Sequence, residues 1–234
     1  DIIITGGSES AVNETGVGGF NALKALSERN DDPKTASRPF DKERDGFVLG
    51  EGGGALILED YDHAVKRNSK IYAEVIGFGM SCDAYHITAP HPEGEGAKLV
   101  MENAIKSANI EKKSVDYINV HGTSTPLGDK SEINAIEKVF GEYSYNLNIS
   151  STKSMTGHLL GAAGAIESIA SIFTLNENKI PPTINHQTFD EEINKNLNLT
   201  LNKFQERNSE IVMSNTFGFG GHNTSIIFKK YHNQ

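Results

Sequence analysis

Thiols, tryptophan and long apolar runs are what this sequence most obviously lacks. Cys82 is the only cysteine among the 234 residues, so no intramolecular disulfide can form and an oxidising compartment is not implied. No stretch of about eighteen apolar residues exists, and the first residues have neither the basic start nor the apolar core of a signal peptide. We therefore expect a cytoplasmic protein that does not enter a membrane.

Positive charge is also scarce. The chain has 22 Lys and Arg residues against 31 Asp and Glu residues, a formal net charge of −9. Binding to phosphates needs clustered cations, and here the cations are scattered, so nucleic acid is not an expected partner. Apolar residues make up 37% of the chain, enough for the core of one large domain or two small ones.

Strand and helix patterns alternate along the chain, which predicts a layered α/β fold. We place a boundary near residue 70, which divides the chain into 1–70 and 71–234. Apolar periodicity predicts helices over 18–29, 61–68, 95–108, 129–140 and 157–176. Strands are predicted over 1–5, 55–59, 71–78, 115–120, 147–150, 197–201, 210–214 and 224–228.

The first predicted strand, Asp1 to Thr5, is apolar enough to be buried and leads straight into Gly6 and Gly7. A domain rarely begins on its core strand. We therefore expect that the chain starts within a fold and that a preceding segment is missing.

Three segments that could carry chemistry each follow a predicted strand, where α/β proteins place their ligand sites. The first, H-G-T-S-T-P from His121 to Pro126, surrounds an imidazole with small hydroxyl residues. Taken alone, it could equally be a loop whose His and Thr side chains satisfy backbone groups.

The second segment, residues 151–164, is more specific. His158 falls in the first turn of the predicted helix, where the positive end of the helix dipole would lower the pKa of the imidazole and keep it neutral. A neutral imidazole can donate a hydrogen bond to a developing oxyanion. A buried helix with a capping hydroxyl explains the small residues Gly161 to Gly164 but does not explain Lys153 together with His158.

The third segment, N-T-F-G-F-G-G-H-N over residues 215–223, alternates glycine with the aromatic residues Phe217 and Phe219. Its glycines allow a sharp turn that presents backbone N–H groups to an anion, while the rings could line an apolar tunnel. A simple turn between two strands is an equally good interpretation of this stretch alone.

Other interpretations have less support. Cys82 has no adjacent helix N-terminus or basic group that would lower its thiol pKa, so it is a poor candidate nucleophile. Gly50 to Ala55 fits the dinucleotide pattern G-x-G-x-x-A but precedes a strand, whereas that motif should follow a strand and open a helix. No G-x-S-x-G occurs to support a serine hydrolase.

Taken in order, H-G-T-S-T-P-x-G-D, K-S-M-T-G-H-x-x-G-A-A-G and N-x-F-G-F-G-G-x-N resemble the motifs of the β-ketoacyl synthases. The stretch from Gly77 to Pro90 is similar to the type II elongating enzymes, and the resemblance covers nearly the whole chain. It implies the thiolase-like, layered αβαβα fold in incomplete form. Residues 1–70 would be the remainder of the N-terminal half, and 71–234 the whole C-terminal half.

The resemblance also implies a reaction. In this family a Cys, expected upstream of Asp1 and absent here, takes an acyl group from acyl carrier protein. Malonyl-carrier protein then loses carbon dioxide, and the resulting enolate attacks the acyl thioester to give a 3-oxoacyl product in fatty acid elongation. His121 and His158 would stabilise the enolate, and Lys153 would hydrogen-bond within the site. No cofactor is required, since the phosphopantetheine of the carrier carries the substrates, and the enzyme would be a homodimer.

Further roles follow from the same resemblance. Phe219 would gate the acyl pocket and its backbone N–H would contribute to an oxyanion hole, within a gating segment that also contains Phe217, Gly218 and Gly220. The substrate arm would contact Thr123 and Thr125, the gate would move with Asp83, and the carrier protein would contact Lys24. Glu167 would be structural, and a monovalent cation would bind at Asn119, Glu167, Ser214 and Asn215.

A rival hypothesis comes from a different functional class. The chain could be a non-catalytic half-fold that pairs with, or scaffolds, another chain, and the missing nucleophile favours this. The presence of His121, His158 and Lys153 together argues against it, because a non-catalytic chain has no chemical need for all three. In either case we expect the isolated chain to be inactive.

Overall fold

A computed structural model describes residues 1–232. Its strands are β1 (Ile2–Glu9), β2 (Gly52–Glu59), β3 (Ala73–Cys82), β4 (Tyr117–Asn119), β5 (Asn148–Ser150), β6 (Lys179–Ile180), β7 (Gln205–Glu206), β8 (Ile211–Gly218) and β9 (His222–Lys230). Its α-helices are α1 (Glu14–Ala22), α2 (Tyr61–Lys66), α3 (Glu95–Ala108), α4 (Pro126–Phe140), α5 (Lys153–Thr156) and α6 (Ala163–Glu177). Within the described residues, no helix is both long and apolar enough to cross a membrane.

The largest sheet has five strands in the order β3-β9-β8-β4-β5. Strand β4 runs parallel to both β5 and β8, whereas β9 is antiparallel to its two neighbours. Helices α3 and α4 cover one face of this sheet, and α6 covers the other. The second face of α6 contacts the antiparallel β1–β2 pair. The described chain therefore has four layers: β1–β2, α6, the five-stranded sheet, and α3 with α4.

Close packing between layers depends on glycine at a few positions. A Cβ atom on Gly79 of β3 would lie 2.1 Å from the carbonyl oxygen of Val100 in α3, and one on Gly7 of β1 would lie 2.1 Å from that of Gly161. Real Cβ atoms do not approach so closely, so any side chain at these positions would push the layers apart.

Several expected elements are confirmed and others are wrong. Helix α3 has the predicted bounds, and α4 begins three residues earlier than predicted, at Pro126. The helix expected over 18–29 instead spans Glu14–Ala22, because the Asn13 side chain accepts the Gly16 N–H and caps it. No strand forms over 197–201, where only the isolated bridges of Asn198 and Leu201 occur.

The expectation that residues 1–5 form a buried strand is half right. Residues 2–5 do belong to β1, but the side chains of Ile3 and Ile4 are 65% and 76% exposed. The reason is that α6 covers only part of one face of the β1–β2 pair, while the paired residues Ile4 and Ile57 on the other face are 76% and 67% exposed. Helix α6 packs on both sheets and so joins the two parts on either side of residue 70. The division near residue 70 stays a prediction.

Candidate active site

The three segments singled out in the sequence meet at one edge of the five-stranded sheet. Strands β4, β5 and β8 are parallel, so their carboxyl ends lie together. A cavity of about 400 Å³ opens at this edge. The predicted site residues that line this cavity are Lys24, Asp83, His121, Thr123, Thr125, His158, Phe217, Gly218 and Phe219.

His121 and His158 form the chemical centre of this cavity. Their ring centroids lie 5.2 Å apart and their planes are nearly perpendicular, at 86°. Burial, with the nearby Lys153 charge as a second cause, lowers the pKa of His158 to about 3 and that of His121 well below its usual value. Both imidazoles are therefore neutral at physiological pH.

The backbone around His158 selects its tautomer. The Leu160 N–H donates to His158 Nδ1 over 3.2 Å, so Nδ1 carries the lone pair and the proton is on Nε2. Two backbone hydrogen bonds hold the residue in place: the His158 N–H donates to Val48, and its carbonyl accepts from Gly50. Phe47 packs against the ring at a centroid distance of 5.3 Å. His158 is thus a fixed hydrogen-bond donor.

The predicted cause of the neutral His158 is wrong. The residue lies between α5 and a short 3₁₀ turn at Leu160–Ala162, and the long helix begins only at Ala163. Gly157 and Leu160 have φ of 71° and 46°, which interrupt any continuous helix. Burial and Lys153 account for the lowered pKa in place of a helix dipole.

His121 follows β4 and is held by a residue that the sequence analysis missed. Glu132 of α4 accepts the backbone N–H groups of His121 and Gly122 over 3.0 and 2.8 Å, and the Asn215 amide over 3.2 Å. Burial raises the pKa of Glu132 to about 7. Its sequence signal was a carboxylate on the apolar side of a predicted helix, beside Ile133. His121 Nδ1 is buried without a hydrogen-bond partner among the described residues.

Lys153 and Glu167 form a buried ion pair behind the histidines. Their side chains are 2% and 3% exposed and are joined by a short hydrogen bond. Burial raises the pKa of Glu167, and the Lys153 charge opposes that shift. Lys153 is not among the cavity-lining residues. It therefore acts on the histidines through its charge, which favours their neutral forms.

Thr123 and Thr125 face the cavity from a tight turn. Their hydroxyl oxygens are 3.0 Å apart, and the intervening Ser124 is buried with a φ of 68°. Left-handed backbone at Ser124 turns both neighbouring hydroxyls toward one side, where a polar chain entering the cavity could bond them.

The third segment forms a turn that covers one side of the cavity. Strand β8 includes Asn215 and runs to Gly218, so the strand is longer than predicted. Phe219 is 49% exposed at the tip of the turn. The Gly220 N–H donates to the Ile87 carbonyl over 2.7 Å. Gly220 is thus already paired in this arrangement of the turn.

Asp83 connects the preceding loop to this turn. Its N–H donates to the Gly221 carbonyl over 3.0 Å, and its carboxylate accepts the Asn223 amide over 2.6 Å and the His91 N–H over 3.1 Å. The loop and the turn are therefore mechanically linked. Lys24, with a φ of 52°, lies exposed at the cavity mouth.

The four residues expected around a cation only partly converge. Asn119 and Ser214 are register partners on β4 and β8, and strand alternation places them toward α6, where Glu167 Oε2 is buried without a partner among the described residues. An unpaired buried carboxylate oxygen fits a monovalent cation. The Asn215 side chain, however, lies on the opposite face, where it bonds Glu132 and Ser225. Any contribution from Asn215 would have to come from its backbone.

The fold and the site together define the class of protein. Residues 1–64 match the model described as beta-ketoacyl synthase, N-terminal domain, and residues 72–187 match that of the C-terminal domain. The chain belongs to the β-ketoacyl synthase family.

Two curated relatives carry the name 3-oxoacyl-[acyl-carrier-protein] synthase 2. The protein from Coxiella burnetii is 53% identical over 98% of this chain, and that from Synechocystis is 50% identical over the same share. Both alignments cover 55% of the relative. The chain thus spans about half the length of the curated relatives it matches.

Solved structures confirm the ketosynthase fold, which is thiolase-like. A type II PKS acyl-carrier protein in complex with its ketosynthase bound to the hexaketide gives a TM-score of 0.96 at 39% identity, over 99% of this chain and 57% of that one. A beta-ketoacyl synthase from Burkholderia phymatum gives 0.93 at 39% identity, over 99% and 55%. The α/β fold expected from the resemblance is therefore correct, in its incomplete form.

Proposed function

We propose that this chain forms the malonyl-activating half of a 3-oxoacyl-[acyl-carrier-protein] synthase, and that the complete protein elongates acyl chains by decarboxylative Claisen condensation. The observation that carries the proposal is the pair of neutral, perpendicular imidazoles of His121 and His158 in one cavity. The names of the curated relatives support the same activity.

The chemistry follows from these two donors. When a malonyl thioester decarboxylates, the bond between its carboxylate carbon and its α-carbon breaks, and the electron pair moves through the α-carbon to the thioester oxygen. The His158 Nε2–H donates to that oxygen, and His121 supplies the second hydrogen bond. Such donors count for most in a site that excludes water, because they stabilise charge that develops only in the transition state.

The enolate carbon then attacks the carbonyl of an acyl thioester. A carbon–carbon bond forms, the enzyme thiolate leaves, and a 3-oxoacyl thioester remains. Cys82 does not line the cavity and is exposed, so it does not fit the role of acyl acceptor. The proposal therefore places the nucleophilic Cys in a part of the protein outside these 234 residues.

Substrates would arrive on the phosphopantetheine arm of acyl carrier protein. In this proposal Thr123 and Thr125 bond the arm, Lys24 contacts the carrier, and Phe219 gates the acyl pocket together with Asp83, with a contribution of the Phe219 N–H to the oxyanion hole. The link between Asp83 and Gly221 supports coupled movement of loop and turn. In the same proposal the complete enzyme needs no cofactor, is a homodimer in the cytoplasm, and binds a monovalent cation near Glu167.

The test uses the complete protein with His121→Ala and His158→Ala variants. We expect malonyl decarboxylation to fall roughly 10²–10³-fold in each, the usual cost of removing one oxyanion donor. Acyl transfer onto the enzyme thiol, followed with labelled acyl carrier protein, should persist in both variants and serves as the control for folding.

Unchanged decarboxylation in both variants would contradict the assigned roles. Complete protein that accepts no acyl label and releases no carbon dioxide would favour the rival, a non-catalytic half-fold that pairs with another chain.

A further inference from the structure

Arg44 lies buried beneath the Thr123–Thr125 turn and outside the cavity. Its side chain is 3% exposed. The guanidinium donates to the carbonyls of Thr125 and Pro126 over 3.4 and 3.1 Å, and Nε lies 3.4 Å from Asp129 Oδ2. One planar group therefore holds both backbone and side chain at the start of α4, geometry that lysine cannot reproduce.

The other edge of Arg44 is anchored independently of the turn. Nη1 donates to Asp190 Oδ2 over 2.6 Å and to the Asp41 carbonyl over 2.8 Å. Asp190 comes from a loop far along the chain. The guanidinium is thus fixed on one side by Asp190 and Asp41, and on the other side it supports the residues that follow Ser124.

The turn needs such support because Ser124 has a φ of 68°, a conformation that residues other than glycine rarely adopt. Further bonds reach it from the Arg44 segment: Arg38 N–H donates to Ser124 Oγ over 3.0 Å, and Gly46 N–H donates to its carbonyl over 3.0 Å. Asp129, which contacts Arg44, accepts the Ser124 N–H over 3.1 Å. Unusual backbone persists only where its surroundings over-determine it.

We propose that Arg44, anchored by Asp190, is a positioning residue that holds the hydroxyls of Thr123 and Thr125 in the geometry that binds the substrate's pantetheine arm. This inference rests on the proposed function and deepens it. Arg44 touches no reacting atom. Its loss acts on binding of the arm and leaves the histidine chemistry intact, because both histidines are held by other bonds. His158 is held by Val48, Gly50 and Leu160, and the His121 N–H is held by Glu132.

The experiment compares Arg44→Lys with wild type in the complete protein, using two malonyl thioesters. For malonyl-carrier protein, which has the arm, we expect KM to rise about tenfold with kcat changed less than about twofold, as for loss of uniform binding. For the malonyl ethanethiol ester, which has no amide to bond, decarboxylation should be unchanged. Asp190→Asn should shift KM in the same direction by a smaller factor, and it provides the same test if Arg44→Lys does not fold.

Arg207→Lys is the matched control. Arg207 also joins separate segments, bonding Asp116, the Asn146 carbonyl and the Asn148 amide oxygen, but it lies away from the cavity. We expect it to leave KM unchanged for both substrates. We also expect the double variant Arg44→Lys/Thr125→Val to raise KM for malonyl-carrier protein by less than the product of the two single-variant increases, since both changes act on the same contact.

Three outcomes would overturn the role of Arg44 while leaving the proposed function standing. They are equal losses of activity on both thioesters, an unchanged KM for malonyl-carrier protein, and full additivity with Thr125→Val. A wild-type protein that decarboxylates neither thioester would overturn the proposed function, and this inference with it.

Discussion

The β1–β2 pair and the five-stranded sheet have similarly apolar strands but very different environments. Ile118 in β4 is completely buried, whereas Ile4 in β1 is 76% exposed. Successive isoleucines from Ile2 to Ile4 place apolar side chains on both faces of β1, a pattern typical of a strand covered on both sides. The comparison teaches that Ile2 to Ile4 have the sequence of a core strand without the contacts of a core strand.

A third segment refines this comparison. Residues 36–47 precede β2 in the chain, yet Phe40 and Phe47 are buried. The Phe40 N–H donates to Asp129 of α4, and the residues on either side of Phe47 bond the loops after β4 and β5, through Gly46 to Ser124 and Val48 to His158. Burial in this molecule thus follows contact with the five-stranded sheet and its loops, whatever the position along the chain. The same contacts bring Phe47 against His158.

The largest expected effect on stability lies in the well-covered region. Replacing Lys153 by Met leaves Glu167 buried without its partner, and we expect the free energy of unfolding to fall by about 3–5 kcal/mol. Denaturant unfolding of the complete protein measures this. The double variant with Glu167→Leu should recover part of the loss, and a double variant that loses as much as the sum of both single changes would contradict the pairing.

A smaller effect compares the two sheets directly. Ile118→Ala should cost about 2–5 kcal/mol, the usual range for a fully buried isoleucine, while Ile4→Ala in the 234-residue chain should cost less than about 0.5 kcal/mol. In the complete protein we expect the cost of Ile4→Ala to approach that of Ile118→Ala, because both faces of β1 are apolar. A small cost there would show that β1 stays exposed.

The smallest expected effect is a change in how stability depends on pH. Burial raises the pKa of Glu132 to about 7, so its contribution is present below its ordinary pKa of 4.5 and is lost as pH rises through 7. Glu132→Gln should flatten the stability profile between pH 4.5 and 7, as followed by denaturant unfolding.

Glu59 of β2 provides the contrasting control. The hydrogen bond from Arg67 lowers the pKa of this carboxylate, whose side chain is 9% exposed, to about 2, so its contribution is lost only as pH falls from 4.5 toward 2. Glu59→Gln should leave the slope between pH 4.5 and 7 unchanged. If both variants alter that slope equally, the opposite pKa shifts of the two carboxylates are contradicted.

Long periodic elements were predictable from the sequence. Helix α3 was predicted with correct bounds because its apolar positions recur at helical spacing. In the structure, Gly94 and Asn109, both with left-handed backbone, flank its two ends. The helix expected from Gly157 was wrong at its start, because the apolar pattern continues through residues whose backbone is not helical. Periodicity reports which side chains face the core, but it does not report φ at Gly157 or Leu160.

The sequence predicted the three segments that form the candidate site but not the residues that hold those segments in place. His121, His158, Thr123 and Thr125 stand in short motifs at strand ends, where small residues and titratable groups are informative. Arg44 stands in no such motif, and the only signal at Glu132 was a carboxylate on the apolar side of a predicted helix. Arg44 acts on a turn more than 80 positions along the chain, as its bonds to Thr125 and Pro126 show.

The sequence by itself determined most of the elements, the family and most of the residues that line the cavity, because apolar periods and short motifs are local and carry their chemistry within a few positions. Only the tertiary structure decided that the histidines are neutral through burial, that His158 donates from Nε2, and that Glu132 and Arg44 hold the loops. Those properties depend on which distant groups exclude water and lie within hydrogen-bonding distance, and the folded arrangement of the layers sets both.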